Sequence, residues 1–194
     1  MPAVRPVFRY DLNHDVDTVQ AMASRLVPFV YENEIFGYTP ESLPKLTIGG
    51  LLMRLHRLAL LDTLLSDEQR ERLATAQQQI DSVKQKWLVA YTNKTTDELT
   101  MRINEWNQFL NECNQNEDEC HEMYPSMVEK RVIAQALVNQ ARELNVLTPE
   151  IEERLNGIDS QLQDYFKAGS FVWDQRLQQA YPPDEYGFLY VISR

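Results

Sequence analysis

The sequence predicts an all-α fold, a single-domain bundle of about six helices around a buried central helix at residues 47–65, with room for short β segments at the termini. Three observations lead there. Residues 46–65, LTIGGLLMRLHRLALLDTLL, are the most apolar stretch of the chain. Elsewhere apolar residues recur at steps of three and four, the mark of helices with one buried face. Glycine is scarce, 6 against 9 prolines in 194 residues, which leaves few of the tight turns an all-β fold needs. One helical domain over residues 1–194 is expected, ending in an apolar C-terminal tail at 181–194.

On a helical wheel Ile48, Leu51, Leu52, Leu55, Leu58 and Ala59 share one broad face of the central helix. Met53, Leu60 and Leu64 gather on the far side, and Arg54 with Arg57 form a narrow basic strip beside Gly50. A helix apolar nearly all round is buried on several sides. A membrane span is the rival reading, and it fails because two arginines, a histidine and an aspartate interrupt a run barely long enough to cross. Thr47 is the expected cap, and Leu55→Asp is expected to unfold the chain, because an unpaired buried charge costs several kcal/mol.

Ahead of this helix, Val16, Val19, Ala23, Leu26 and Val30 mark an amphipathic helix capped by Asn13 or Asp15, with Pro28 expected to kink it or end it early. Residues 32–46 are punctuated by Gly37, Pro40 and Pro44 and read as a surface loop whose aromatics, Tyr31, Phe36 and Tyr38, seal it over the core.

After the central helix, Ser66-Asp67-Glu68-Gln69 is a capping box. Leu73, Ala76, Ile80, Val83, Trp87 and Ala90 then follow heptad spacing, as do Leu99, Ile103, Trp106, Leu110 and Cys113, but the two runs are out of phase. Either one long helix bends within residues 67–113 or a turn divides it. The low helix propensity of Thr92-Asn93-Lys94-Thr95-Thr96 and a second capping pattern, Thr95-x-x-Glu98, favour two helices divided there.

Residues 111–124, NECNQNEDECHEMY, read as an acidic connecting loop, followed by a helix that opens at Pro125 and buries Val132, Ile133, Ala136, Leu137, Ala141 and Leu144. Thr148-Pro149-Glu150 restarts the chain as cap, first helical residue and acid at the positive end of the dipole. That helix buries Ile151, Leu155, Ile158, Leu162 and Tyr165, and Ala168-Gly169 is expected to close it. A short helix over residues 172–180 and the β-prone run at 186–192 complete the chain.

Chemistry is sparse. Cys113, Cys120 and His121 lie among Glu117, Asp118, Glu119 and Glu122, but zinc needs convergent, closely spaced ligand pairs, and C-x6-C-H lacks a second pair. Cys113 is in phase with Leu110 and Trp106 and reads as core. The E-x-x-H pair of bundle di-iron sites, nucleophile elbows and phosphate loops are missing from the sequence. Neither metal nor cofactor is therefore expected, and no catalytic constellation is visible. Arg54, His56 and Arg57, with Gly49-Gly50 at the helix start, are the candidate ligand-binding residues, suited to an anion. The structural alternative is that the glycines permit close packing and the arginines pair with acids such as Glu32 or Glu34.

Nineteen basic residues against 29 acidic ones give a net charge of −10, and no basic stripe is present to follow a phosphate backbone. Nucleic acid and membrane are thus not expected partners. The first residues lack the apolar core of a signal peptide, which predicts a cytoplasmic address. Two cysteines in a chain of this size do not make a disulfide framework. Heptad-spaced amphipathic helices pack between chains by the same physics as within one. The expected function is accordingly that of a protein–protein interaction or structural protein that self-associates. The alternative is an anionic-ligand binder or enzyme with an inter-helix pocket near Arg54, His56 and Arg57. Phe188, Leu189, Tyr190, Val191 and Ile192 are the candidate partner-binding residues, since an apolar terminus must bury itself, either on its own bundle, pairing with residues 7–10, or on another chain.

Overall fold

A computed structural model describes residues 9–193. Six helices of 13 to 27 residues carry the described fold: α1 (Leu12–Tyr31), α2 (Ile48–Leu60), α3 (Asp67–Lys86), α4 (Leu88–Cys113), α5 (Glu117–Glu143) and α6 (Pro149–Tyr165). A short helix, α7 (Pro183–Tyr186), follows, and two strands, β1 (Phe166–Phe171) and β2 (Tyr190–Ser193), pair antiparallel. The all-α class is thus the fold, with a small sheet near the C-terminus.

The chain gathers into two compact units. One comprises Asp11–Met101 and Ile133–Leu147; the other comprises described residues 9–10, Arg102–Val132 and 148–193. Helices α4 and α5 each contribute residues to both.

In the first unit, α1 packs on α2 and α3. Val16, Val19, Ala23, Leu26 and Val30 are all buried, as their spacing predicts. The cap, however, is Asp11, whose carboxylate accepts the His14 amide at 3.1 Å, and Asp15 lies inside the helix and is buried. The helix runs through Pro28 to Tyr31 rather than ending there. Thr47 caps α2, its Oγ1 accepting the Gly50 amide at 2.9 Å. The central helix is shorter than its apolar run, ending at Leu60, with a 3-10 turn at Asp62–Leu64. It is also rotated relative to the expected wheel. Arg54 and Arg57 face inward and are buried, Leu52 and Leu55 are half-buried, and Ala59, Leu60 and Leu64 are exposed. Leu55→Asp therefore reaches a half-buried position and is no longer expected to unfold the chain. Gly49 has the close-packing role considered for it: a Cβ there would lie 2.5 Å from Ile133 Cγ2 and 2.8 Å from Leu137 Cδ1.

The Ser66–Gln69 capping box forms in both directions. The helix break comes at Trp87, not at residues 92–96. The threonines of that stretch sit inside α4, where Thr95 and Thr96 donate to carbonyls one turn back and so satisfy their hydroxyls without ending the helix. Glu98, freed from capping, accepts the Gly49 amide at 2.8 Å. The loop aromatics Tyr31, Phe36 and Tyr38 are exposed instead of sealing the core; Gly37, Thr39 and Leu46 are the buried residues of that segment.

In the second unit the acidic segment is helical. Residues 114–116 are all that separates α4 from α5, which begins at Glu117 and carries Pro125 in its interior. The Pro125 carbonyl accepts the Trp173 indole N–H at 2.7 Å. Cys113 is buried, as its phase with Leu110 and Trp106 predicts, and it is joined to Cys120 by a disulfide that the sequence does not predict. Asn145, at φ 56°, makes the left-handed turn after α5 that glycine usually supplies. Helix α6 starts at Pro149 as predicted, though without a side-chain cap bond from Thr148, and buries Leu155, Ile158, Leu162 and Tyr165 while Ile151 is half-buried. Phe166 begins a strand where Ala168-Gly169 was expected to close the helix. The pairing slips between Ala168 and Phe171, and a Cβ at Gly169 would lie 2.5 Å from Ile192 Cγ2 and 2.9 Å from the Ile192 nitrogen. Only glycine admits that approach. The short helix expected over residues 172–180 is a 3-10 helix confined to Gln175–Ala180.

Candidate functional site

The residues singled out as an anion site lie together but face a carboxylate of the protein itself. Arg57 Nε and Nη2 fork onto the two Asp15 oxygens, the Nη2 contact being 2.5 Å, and Arg54 Nε lies 3.4 Å from Asp15 Oδ1. Arg54 Nη1 donates to the Gly50 carbonyl at 2.8 Å. His56 is half-buried. At the helix start, the anion at the Gly49 amide is Glu98. Both features that suggest a bound anion in the sequence, a basic strip and a helix N-terminus, thus receive internal acids from α1 and α4. Neither acid is the Glu32 or Glu34 that proximity to the loop suggests. A bidentate guanidinium–carboxylate pair in the interior is strong and geometrically demanding.

Next to this cluster an apolar groove of about 260 Å³ runs between α2 and α3, lined by Leu55, Leu58, Ala59, Leu65, Leu73 and Ala74, with Asp62, Arg70 and Gln77 among its polar neighbours. Arg70 is held by Asp62 at 3.2 Å and Asp67 at 2.7 Å.

The C-terminal candidates divide. Phe188, Leu189 and Val191 are buried in their own unit, Tyr190 is half-buried, and Ile192 is exposed. Strand β2 pairs with Phe166–Phe171; residues 7 and 8 of the suggested partner strand lie outside the described residues, and Tyr10 instead donates its amide to Asp174 at 3.0 Å. The Tyr124 hydroxyl donates to the Phe188 carbonyl at 2.6 Å, and the Arg131 guanidinium stands 4.3 Å from the Phe188 ring centre. The tail therefore has an intramolecular seat.

A different face carries the largest departure from the expected core. The heptad run Ala76, Ile80, Val83 is buried, yet Trp87, the next in phase, is 39% exposed. Its backbone leaves helical geometry at φ −127°, ψ 36°, and α4 starts immediately after. Leu88 and Val89 follow at 52% and 75% exposed. Tyr31, at the end of α1 and 56% exposed, meets the Trp87 ring edge-on with centroids 4.9 Å apart. Tyr31 and Trp87 thus meet at a solvent-facing corner, and exposed Leu88 and Val89 follow Trp87 in the chain. Exposed Glu32 flanks Tyr31, and exposed Lys86 flanks Trp87. This face was legible in one respect only: Trp87-Leu88-Val89-Ala90 is a run of consecutive apolar residues, which spans far more of a helix than one buried stripe covers. The heptad phase of Trp87 concealed it.

Among the described residues no group of three or more histidine, cysteine and acidic side chains is placed to hold a metal ion, and no helix is long and apolar enough to cross a membrane. The sulfurs of Cys113 and Cys120 bond to each other, so neither is a thiolate ligand. No family model, curated protein or solved structure matches the chain.

Proposed function

We propose that the protein is an interaction module that self-associates through the corner formed by Tyr31, Trp87, Leu88 and Val89. The observation that carries this reading is the exposure of three consecutive large apolar residues at a helix break, the first of which, Trp87, makes an aromatic contact with exposed Tyr31. Single exposed apolar residues are ordinary on any surface, whereas a contiguous group marks a contact site. Tryptophan and tyrosine are also the residues that most often anchor interfaces. A second copy of the chain is the partner this face suits. It carries both charge signs, exposed Glu32 beside Tyr31 in the chain and exposed Lys86 beside Trp87, so a two-fold contact can set unlike charges against each other. With a net charge of −10, two copies need such a local match to approach.

The test is the oligomeric state by size-exclusion chromatography with light scattering. A dimer is expected for the natural chain, and Leu88→Glu with Val89→Glu should yield a monomer with an unchanged circular dichroism spectrum. A monomeric natural chain at high micromolar concentration, or a folded variant that stays dimeric, overturns the reading.

A further inference from the structure

The Cys113–Cys120 disulfide has a chemical setting that the interaction reading does not use. Cys113 is the last residue of α4 and Cys120 lies in the first turn of α5, so the bond closes the tightest helix connection of its unit. Both cysteines are buried as residues, yet both line a cavity of about 330 Å³. The other walls are Phe109, Glu112, Gln115, Asn116, Glu119 and Met123. That volume admits a small thiol but not a folded reductase domain, since drug-sized pockets begin near 300 Å³. Two carboxylates, Glu112 and Glu119, stand in the lining, and exposed Glu117 and Asp118 flank it in sequence. Exposed Gln108 donates to Glu112 at 2.8 Å and exposed Asn116 to Glu119 at 3.0 Å, and neither acid is neutralised by these amide partners.

We propose that this disulfide is a reducible latch, reached through its own cavity by small thiols, and that the acidic lining selects among them by charge. The reaction is thiol–disulfide exchange. A thiolate attacks one cysteine sulfur, forming a mixed disulfide and releasing the other cysteine as a thiolate, which takes a proton from solvent. A second thiolate then attacks the outer sulfur of the mixed disulfide, releasing the remaining cysteine as a thiolate that likewise takes a proton from solvent. In sum two thiols are oxidised to one disulfide, and the protein disulfide is reduced to two cysteine thiols. The attacking species is an anion, so each added negative charge on the reagent raises the cost of approaching the carboxylates of the lining. Anionic thiols such as the tripeptide glutathione are thereby disfavoured, which would let the bond last in surroundings where exposed disulfides are reduced.

The experiment treats the full-length oxidised protein with cysteamine, 2-mercaptoethanol and 2-mercaptoethanesulfonate, three thiols of similar size that differ stepwise in charge. They are compared at equal thiolate concentration, and reduction is followed by alkylation and mass spectrometry. Each rate is divided by that of the same thiol with an uncharged small-molecule disulfide, which removes differences in intrinsic nucleophilicity. The rate should rise linearly with thiol concentration. At low ionic strength it should fall about threefold or more with each step toward negative charge, and the spread should collapse in 0.5 M salt, where screening reaches only about 4 Å. Glu112→Gln with Glu119→Gln should narrow the spread while leaving the helical signal intact. A rate that does not depend on thiol concentration means that unfolding must come first, and it overturns the proposal. So does a protein purified without the bond, a common rate for all three thiols, or a spread that salt and the double variant leave unchanged.

Discussion

In the unit built around α2, buried acids are matched to buried donors: Asp15 is 2% exposed against Arg57 and Arg54, and Glu98 is 1% exposed against the Gly49 amide. The unit that carries α6 does otherwise. Its main ion pair sets Arg131 on Asp159, whose side chain retains 24% of its exposure and also accepts the Trp106 indole N–H at 2.9 Å. Its cohesion comes from a disulfide and from rings: Trp106, Phe109, Tyr124 and Phe166 form a connected cluster. Charge in a dry interior makes a unit sensitive to the loss of one partner, whereas rings and a covalent link distribute the load.

The comparison is tested most severely at Asp15. Asp15→Ala removes the carboxylate that two inward guanidiniums face, and breaking a buried pair on one side costs about 3–5 kcal/mol. That is a large part of ordinary domain stability, so chemical denaturation should show a collapse of the melting midpoint or no cooperative fold. A loss below about 1 kcal/mol would show that this cluster is solvated and that the contrast is mistaken.

Removing the cross-link should cost less. The chain-entropy account gives about 2–3 kcal/mol for a loop this short, so Cys113→Ser with Cys120→Ser should lower the midpoint but leave a folded protein. Asp159→Asn keeps an acceptor for Trp106 and loses only the charge toward Arg131; a cost of about 1–2 kcal/mol is expected, smaller than at Asp15 because solvent reaches the pair. If Asp159→Asn proves as damaging as Asp15→Ala, partial exposure is not what separates the two units. The smallest effect belongs to Leu88→Glu with Val89→Glu. Both side chains are exposed, so the stability of the monomer should change by no more than about 0.5 kcal/mol when measured by denaturation under dissociating conditions.

The helices were legible where local rules act alone. Thr148-Pro149 starts α6, Ser66 and Gln69 cap α3 reciprocally, Thr47 caps α2, and the stripe Val16, Val19, Ala23, Leu26, Val30 faces the core of its unit. Caps and periodicity involve residues within a few positions of one another, so no distant partner is needed to read them. The same rules misled where a residue had a better use elsewhere. Thr95-x-x-Glu98 has the form of a cap, but Glu98 serves the start of α2, 49 residues away in sequence. The acidic run before Pro125 looks like a loop, but it is helical and carries acids at the positive end of its dipole.

By itself, then, the sequence determined the all-α class, the number of long helices, most of the buried stripes and the fact of a phase break between the runs at 73–90 and 99–113. Tertiary structure decided where that break falls, which way α2 turns its arginines, that the two cysteines join, and that the β-prone tail pairs with Phe166–Phe171. The division has one physical cause. Helix period and capping are set by backbone geometry over one turn, whereas a counter-ion such as Asp15 for Arg57, 42 positions apart, is chosen by packing. The energy of burying a charge depends on what stands opposite it, and that neighbour is known only once the chain has folded back on itself.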